Sequence, residues 1–354
     1  IRIMWLLYSS SSFRATASFL LFSPLKKCYN ATGKAEKARA EMRITMDILI
    51  ILQQMIIIFL LIGTGMFLYR RKMLSESASK DLSSLIVNVT NPALLICSAF
   101  SDTPKVSLKE LGIAFVLYLA IYVILIVSGF LIPRILRVPT KEHYVYKMLS
   151  VFGNVGFIGI PLASAVLGTE SLIFVSIYNL LFNILIYTYG ISTLQKVSPT
   201  AAENSSFSFK KCINAGTISA LVTVIFYLAD FDIPVIISST LEYAGRATTL
   251  LSMLVLGISV AKIHLKDIFC NPRLYGFTVL RQILLPIGCI LLFRPFVQSD
   301  LILHTLTLML AVPAANMPLM LSTEMNLNTK TISQGIILTT ILSLVTIPLV
   351  SLFL

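Results

Sequence analysis

Gly153-Asn154-Val155-Gly156-Phe157-Ile158-Gly159-Ile160-Pro161 decides the fold, because it sets three glycines and a proline inside an otherwise apolar run. Proline lacks an N–H and clashes with the turn before it, and glycine weakens a helix further. A continuous helix is therefore not expected here. Val312-Pro313-Ala314-Ala315-Asn316-Met317-Pro318 carries the matching fault in a second apolar run. Glycine and proline also act as simple kinks, but a kink does not call for two such stretches in comparable surroundings.

The surroundings are lipid-like. The chain has 354 residues, of which 56% are hydrophobic and 12% charged, with a mean hydropathy of +0.88. A soluble fold carries about twice that charge. Crossing ~30 Å of hydrocarbon takes about 20 mainly apolar residues. Ten such runs follow Met46, near 47–69, 82–100, 109–132, 145–168, 171–195, 212–229, 234–260, 274–293, 301–322 and 331–354. The two faults fall in the fourth and the ninth.

Positive residues orient the spans. With the residue before the first span outside, the inner loops hold Arg70, Arg71, Lys72, Lys80, Arg134, Arg137, Lys141, Lys147, Lys196, Lys210, Lys211, Lys262, Lys266, Arg273 and Lys330. The outer loops hold Lys105, Lys109 and Arg294. This bias supports ten spans with both ends of the 46–354 core outside, in the plasma membrane. Basic residues confined to short gaps form no face for nucleic acid.

Residues 1–45 break the pattern, being basic around a weak apolar stretch. They read either as a targeting segment or, since Met46 directly precedes the first strong span, as a start placed too far upstream. The core then divides into 46–196, a linker 197–210 and 211–354. Five spans per half require the second half to insert upside down. The expected fold is an all-α integral membrane protein of two inverted five-helix repeats, its fourth and ninth helices broken and crossing.

Paired breaks of this kind mark the ligand site of inverted-repeat transporters, because half-helix N-termini offer positive dipole ends to an anion. The pattern N-x4-G-I-P from Asn154 to Pro161 resembles the crossover helix of the auxin efflux carrier family. The ninth run, followed by Ser322-Thr323-Glu324-Met325-Asn326 and Ile332-Ser333-Gln334-Gly335, and Asn91-Pro92 in the second, are also similar to that family. It joins plant PIN-type carriers to bacterial permeases for small organic acids. The resemblance implies a scaffold and a transport domain, alternating access, and a crossover lined by Asn154, Pro161, Pro313 and Asn316. The long cytosolic loop of the plant carriers is missing, which leaves auxin itself in doubt as substrate.

The candidate substrate residues are those four with Gly156, Gly159 and Pro318 from the two faults, and Asn91, Asn179, Asn183 and Arg281 from other spans. Arg281 lies eight residues beyond Arg273, about 12 Å into the bilayer. It either attracts a carboxylate or caps the carbonyls of a broken helix. Asn88 and Asn91 share a helical face by spacing, as do Asn179 and Asn183 beside Tyr178; such pairs bind substrate or join helices. Glu242 and Arg246 read as an ordinary i,i+4 pair.

No Asp or Glu occupies the middle of a span, so a carboxylate proton relay is not evident. His143, His264 and His304 read as loop residues without metal spacing, and Cys28, Cys97, Cys212, Cys270 and Cys289 as apolar fillers. No cofactor is implied. The expected function is a secondary carrier for a small organic anion, coupled to H+ or Na+ and capable of forming a homodimer. The alternative is a membrane sensor that binds the same ligand without moving it.

Overall fold

The computed structural model describes residues 34–100, 106–197, 213–229, 233–262, 271–325 and 327–354, with side chains from residue 51 onward, Glu324 excepted. Residues 198–210 of the linker, Cys28, Cys212, Cys270 and His264 lie outside them, as does most of the 1–45 segment. The chain forms two units, Ile1–Leu49 and Ile50–Leu354.

Helix α1 spans Lys34–Arg70, with Ile51–Arg70 as its apolar stretch, followed by α2 (Glu76–Ser98) and α3 (Leu108–Ile135). Then come α4 (His143–Val151), α5 (Val155–Leu167), α6 (Thr169–Gln195), α7 (Ala215–Ala229), α8 (Val235–Ala261), α9 (Pro272–Phe293) and α10 (Asp300–Ala311). The last two are α11 (Met317–Glu324) and α12 (Lys330–Ser351). Among the described residues there is no strand beyond one isolated bridge. Seven helices among the described residues are long and apolar enough to cross a membrane, and α5, α7 and α10 are shorter apolar helices.

Burial follows the logic of a lipid-facing protein. Leu60, Val116 and Val345 are about two-thirds exposed, while the hydroxyls of Thr248, Ser252, Thr305 and Thr307 are fully enclosed. Apolar side chains face outward and polar ones turn in, where they can find partners that hydrocarbon does not supply.

Three helices widen into a π turn at a fixed distance before a proline. The turns Ile86–Thr90, Val155–Gly159 and Val279–Leu284 each end two residues short of Pro92, Pro161 or Pro286. A wider turn relieves the clash of the proline ring with the preceding carbonyls. It also changes which side chains share a face. Asn88, expected to face the same way as Asn91, is exposed and donates to the carbonyl of Ser84 at 2.9 Å, whereas Asn91 is buried. His143 opens α4 and His304 lies within α10, so neither is the loop residue expected.

Helix ends are tied in pairs. Lys262, beyond α8, pairs with Glu76 at the start of α2 at 2.8 Å. The Val106 N–H donates to the Tyr227 hydroxyl near the end of α7, and the Tyr144 hydroxyl donates to the Asn328 carbonyl before α12 at 3.0 Å. Glu242 and Arg246 form the expected i,i+4 pair on an exposed face.

Helix α3 opens with a capping box. Ser107 Oγ accepts from the Glu110 N–H at 3.2 Å, and Glu110 Oε2 accepts from the Ser107 N–H at 3.0 Å. Ser107→Ala is expected to cost about 1 kcal/mol, seen as a lower melting temperature of the purified protein.

Candidate functional site

Both faults open the backbone. Helix α4 stops at Val151, where Phe152 turns extended (φ −104°, ψ 96°), and Asn154 stays outside the helical region (φ −79°, ψ 65°) before α5 begins. Helix α10 stops at Ala311 because Val312, preceding a proline, is held at φ −58°, ψ 145°, outside the helical region as that neighbour demands. The two open segments meet. The Asn154 N–H donates to the Pro313 carbonyl at 2.7 Å, and the Ala315 N–H donates to the Phe152 carbonyl at 2.9 Å, an antiparallel bridge centred on Gly153 and Ala314. Glycine is needed there: a Cβ on Gly153 would lie 2.9 Å from Val312 Cγ2.

Four helix ends therefore converge. The C-terminal ends of α4 and α10 carry orphan carbonyls and partial negative charge. Arg281, on the π turn of α9, donates from Nε to the Ser150 carbonyl and from Nη1 to the Leu310 carbonyl, each at 2.6 Å. Its neighbour Gln282 donates to the Ala311 carbonyl at 3.4 Å and the Thr339 carbonyl at 3.2 Å. Thr339 Oγ1 in turn accepts from the Ala314 N–H at 3.2 Å. Arg281 is 2% exposed and is the sole charged side chain among the buried described residues. Its Nη2 is enclosed without a partner, near the position a Gly153 Cβ would take, at 3.6 Å.

The two N-terminal ends are dressed with amides. Asn154 precedes α5, where its Oδ1 accepts from the Phe157 N–H at 3.2 Å and its Nδ2 is buried without a partner. Asn316 precedes α11 and makes no side-chain bond to that helix's first turn. In the π register the Ile160 N–H bonds the Val155 carbonyl, so the next residue would bond Gly156, but Pro161 has no N–H. Asn91 Nδ2 takes its place, donating to the Gly156 carbonyl at 3.1 Å. Gly159 lets Met309 of α10 approach, its sulfur 3.2 Å from where a Cβ would sit. Pro318 occupies the first turn of α11, where a proline is tolerated.

The structure thus gathers Asn91, Asn154, Gly156, Gly159, Pro161, Arg281 and Pro313 around the bridge, with Asn316 and Pro318 at the start of α11. Asn179 and Asn183 sit elsewhere. Asn183 Nδ2 donates to the Asn179 carbonyl at 2.8 Å and lies 3.0 Å from a Cβ built on Gly216 of α7, so the pair faces the α6–α7 contact. Gln282, Thr339 and the Ser150 carbonyl are members that the sequence did not single out. Pro286, two residues beyond the turn that carries Arg281 and Gln282, was a local signal for that turn but not for the partners it meets.

A family model described as "Membrane transport protein" matches residues 50–351. An uncharacterized transporter of Methanocaldococcus jannaschii is 25% identical over 301 residues, 83% of this chain and 96% of its own length. A second uncharacterized transporter, from Methanothermobacter thermautotrophicus, is 24% identical over 297 residues, 82% of this chain and 94% of its own.

Proposed function

Since the chain belongs to the membrane transport protein family, as the resemblance in its crossover motifs implied, we propose that it is a secondary carrier for a small organic anion. The cargo is a mono- or dicarboxylate, bound where α4–α5 crosses α10–α11 and moved by alternating access. One observation carries this reading: charge is compensated at one pair of helix ends and left open at the other. Each helix end is equivalent to about half an elementary charge. The guanidinium of Arg281, bonded to both C-terminal ends, offsets about one negative unit. The N-terminal ends of α5 and α11 then retain about one positive unit, and no acidic side chain is buried among the described residues. A carboxylate supplies the missing charge, with Asn154 Nδ2 as an unused donor. Arg281 acts from behind, as the group that keeps this imbalance in place.

Ten spans in two inverted halves remain our reading of the topology. It is supported by the pairs Glu76–Lys262, Val106–Tyr227 and Tyr144–Asn328, each of which joins helix ends that ten alternating spans put at one membrane face. The basic loops then lie inside and both ends of the core outside, in the plasma membrane.

The test is flux of radiolabelled malate, succinate and lactate into proteoliposomes. Asn154→Ser keeps an oxygen to cap Phe157 but removes the free Nδ2. Loss of a charge-assisted hydrogen bond worth about 1.5–3 kcal/mol is expected to slow flux at least about tenfold. Full flux in Asn154→Ser and in Asn316→Ala would remove the site from this crossing, and binding without net movement would make the protein a sensor.

A further inference from the structure

We propose that a layer of neutral oxygen atoms between α2 and α8, beside the crossing, binds sodium together with the carboxylate; the inference rests on the carrier reading above. Buried hydroxyls in this protein habitually donate to a carbonyl three or four residues back, as Ser176, Thr223 and Thr307 do at 2.7–2.8 Å. Among the described residues, Ser150, Thr217 and Thr346 depart from the habit singly, whereas on the facing helices α2 and α8 three do so together, Thr90, Thr248 and Ser252. They are 4%, 0% and 0% exposed, and their hydroxyl oxygens have no partner. Asn91 joins them: its Nδ2 is held by the Gly156 carbonyl, and its Oδ1 is enclosed and unpaired.

Register brings these residues within about one helical turn of each other. A Cβ on Gly245 would lie 2.8 Å from Leu94 Cα, and Lys262 meets Glu76 at 2.8 Å, so α2 and α8 run antiparallel. Thr248 and Ser252 then stand opposite the stretch from Val87 to Asn91, separated by about 6 Å along the axis. Helix α8 also packs on the turn 155–159, which carries the Gly156 carbonyl.

Hydroxyl and amide oxygens without a carboxylate suit a hard monovalent cation, whereas magnesium or calcium calls for anionic ligands. The nearby N-termini of α5 and α11 repel a lone cation. A bound carboxylate reverses that repulsion, so each ligand strengthens the other, and by the same factor. Thr90, Asn91, Thr248 and Ser252 carry no ionisable group, which favours sodium over a proton at this layer.

The experiment compares sodium with choline chloride at fixed ionic strength, on the purified full chain and in proteoliposomes. Sodium is expected to raise the melting temperature and to lower the dissociation constant of a transported carboxylate, from the malate, succinate and lactate probes, by about tenfold. Thr248→Val and Ser252→Ala are expected to lose both effects while melting normally in choline, and Thr248→Ser to keep them. Thr90→Val stands in if Thr248→Val does not fold. Equal behaviour in sodium and choline, or a sodium effect that survives in the variants, means that water fills the layer and overturns the proposal. Carboxylate flux indifferent to sodium also overturns it and leaves the carrier standing. Sodium stabilisation with no flux of any of the three acids instead removes the carrier.

Discussion

Arg281→Met is expected to destabilise the protein by about 3–5 kcal/mol and to abolish carboxylate flux. Methionine keeps most of the volume of the side chain but none of its donors. The Ser150 and Leu310 carbonyls, each now bonded at 2.6 Å, would face one another's helix ends with no positive group between them. Buried carbonyls without partners are costly, and two like dipole ends at close range add repulsion. Arg281→Lys is expected to recover only part of the loss, because one ammonium cannot span two carbonyls as the planar fork does. Thermal unfolding in detergent and flux in proteoliposomes read the two effects separately. Native stability in Arg281→Met would show that the crossing holds without its arginine.

Gly257→Leu is expected to be the most damaging replacement away from the crossing, with a loss of about 3 kcal/mol or more. Helices α1 and α8 touch backbone to backbone. A Cβ on Gly257 would overlap the Ile62 carbonyl and sit 2.7 Å from Met66 N and 2.8 Å from Gly65 Cα. On the other side, a Cβ on Gly65 would lie 2.5 Å from the Leu254 carbonyl and 2.7 Å from its Cα. Rigid backbone cannot yield as a flexible side chain does, so the two helices would have to part, and small residues at such a contact are what let membrane helices associate closely. Gly63 provides the control on the same helix. Nothing lies within 4 Å of a Cβ placed there, and Gly63→Ala is expected to be neutral or to stabilise by up to about 1 kcal/mol. Comparable melting curves for Gly257→Leu and Gly63→Ala would refute the close-packing account.

The breaks were legible in the sequence because their cause is local. Proline and glycine act on the turn in which they stand, so Gly153 to Pro161 and Val312 to Pro318 announced them without help from the rest of the chain. Helical content and the family were legible for a similar reason, through long apolar runs and motifs of fixed spacing. What supports the breaks was not. Gln282 and Thr339 matter because α9 and α12 pass beside the open segments, and no spacing rule links residues 282, 311 and 339. Asn88 and Asn91 were grouped on one face by a 3.6-residue period that the π turn at Ile86–Thr90 replaces with a wider one. The two readings of Arg281 stood level on sequence because depth alone does not say whether a guanidinium meets a ligand or a carbonyl. Span length also hides part of the architecture: α5, α7 and α10 fall short of a full crossing by length, although a sliding count of apolar residues runs straight through the interruptions.

The joint at the crossing is made by main-chain atoms, through the Asn154 N–H, the Pro313 carbonyl, the Ala315 N–H and the Phe152 carbonyl. Such a latch is blind to most side chains. Ordinary substitutions of the side chains at 152, 154 and 315 leave its hydrogen bonds in place, whereas changes that delete an amide hydrogen, such as proline at 154 or 315, or that thicken Gly153, remove or strain them directly. The joint can thereby persist while the residues around it drift far apart in sequence.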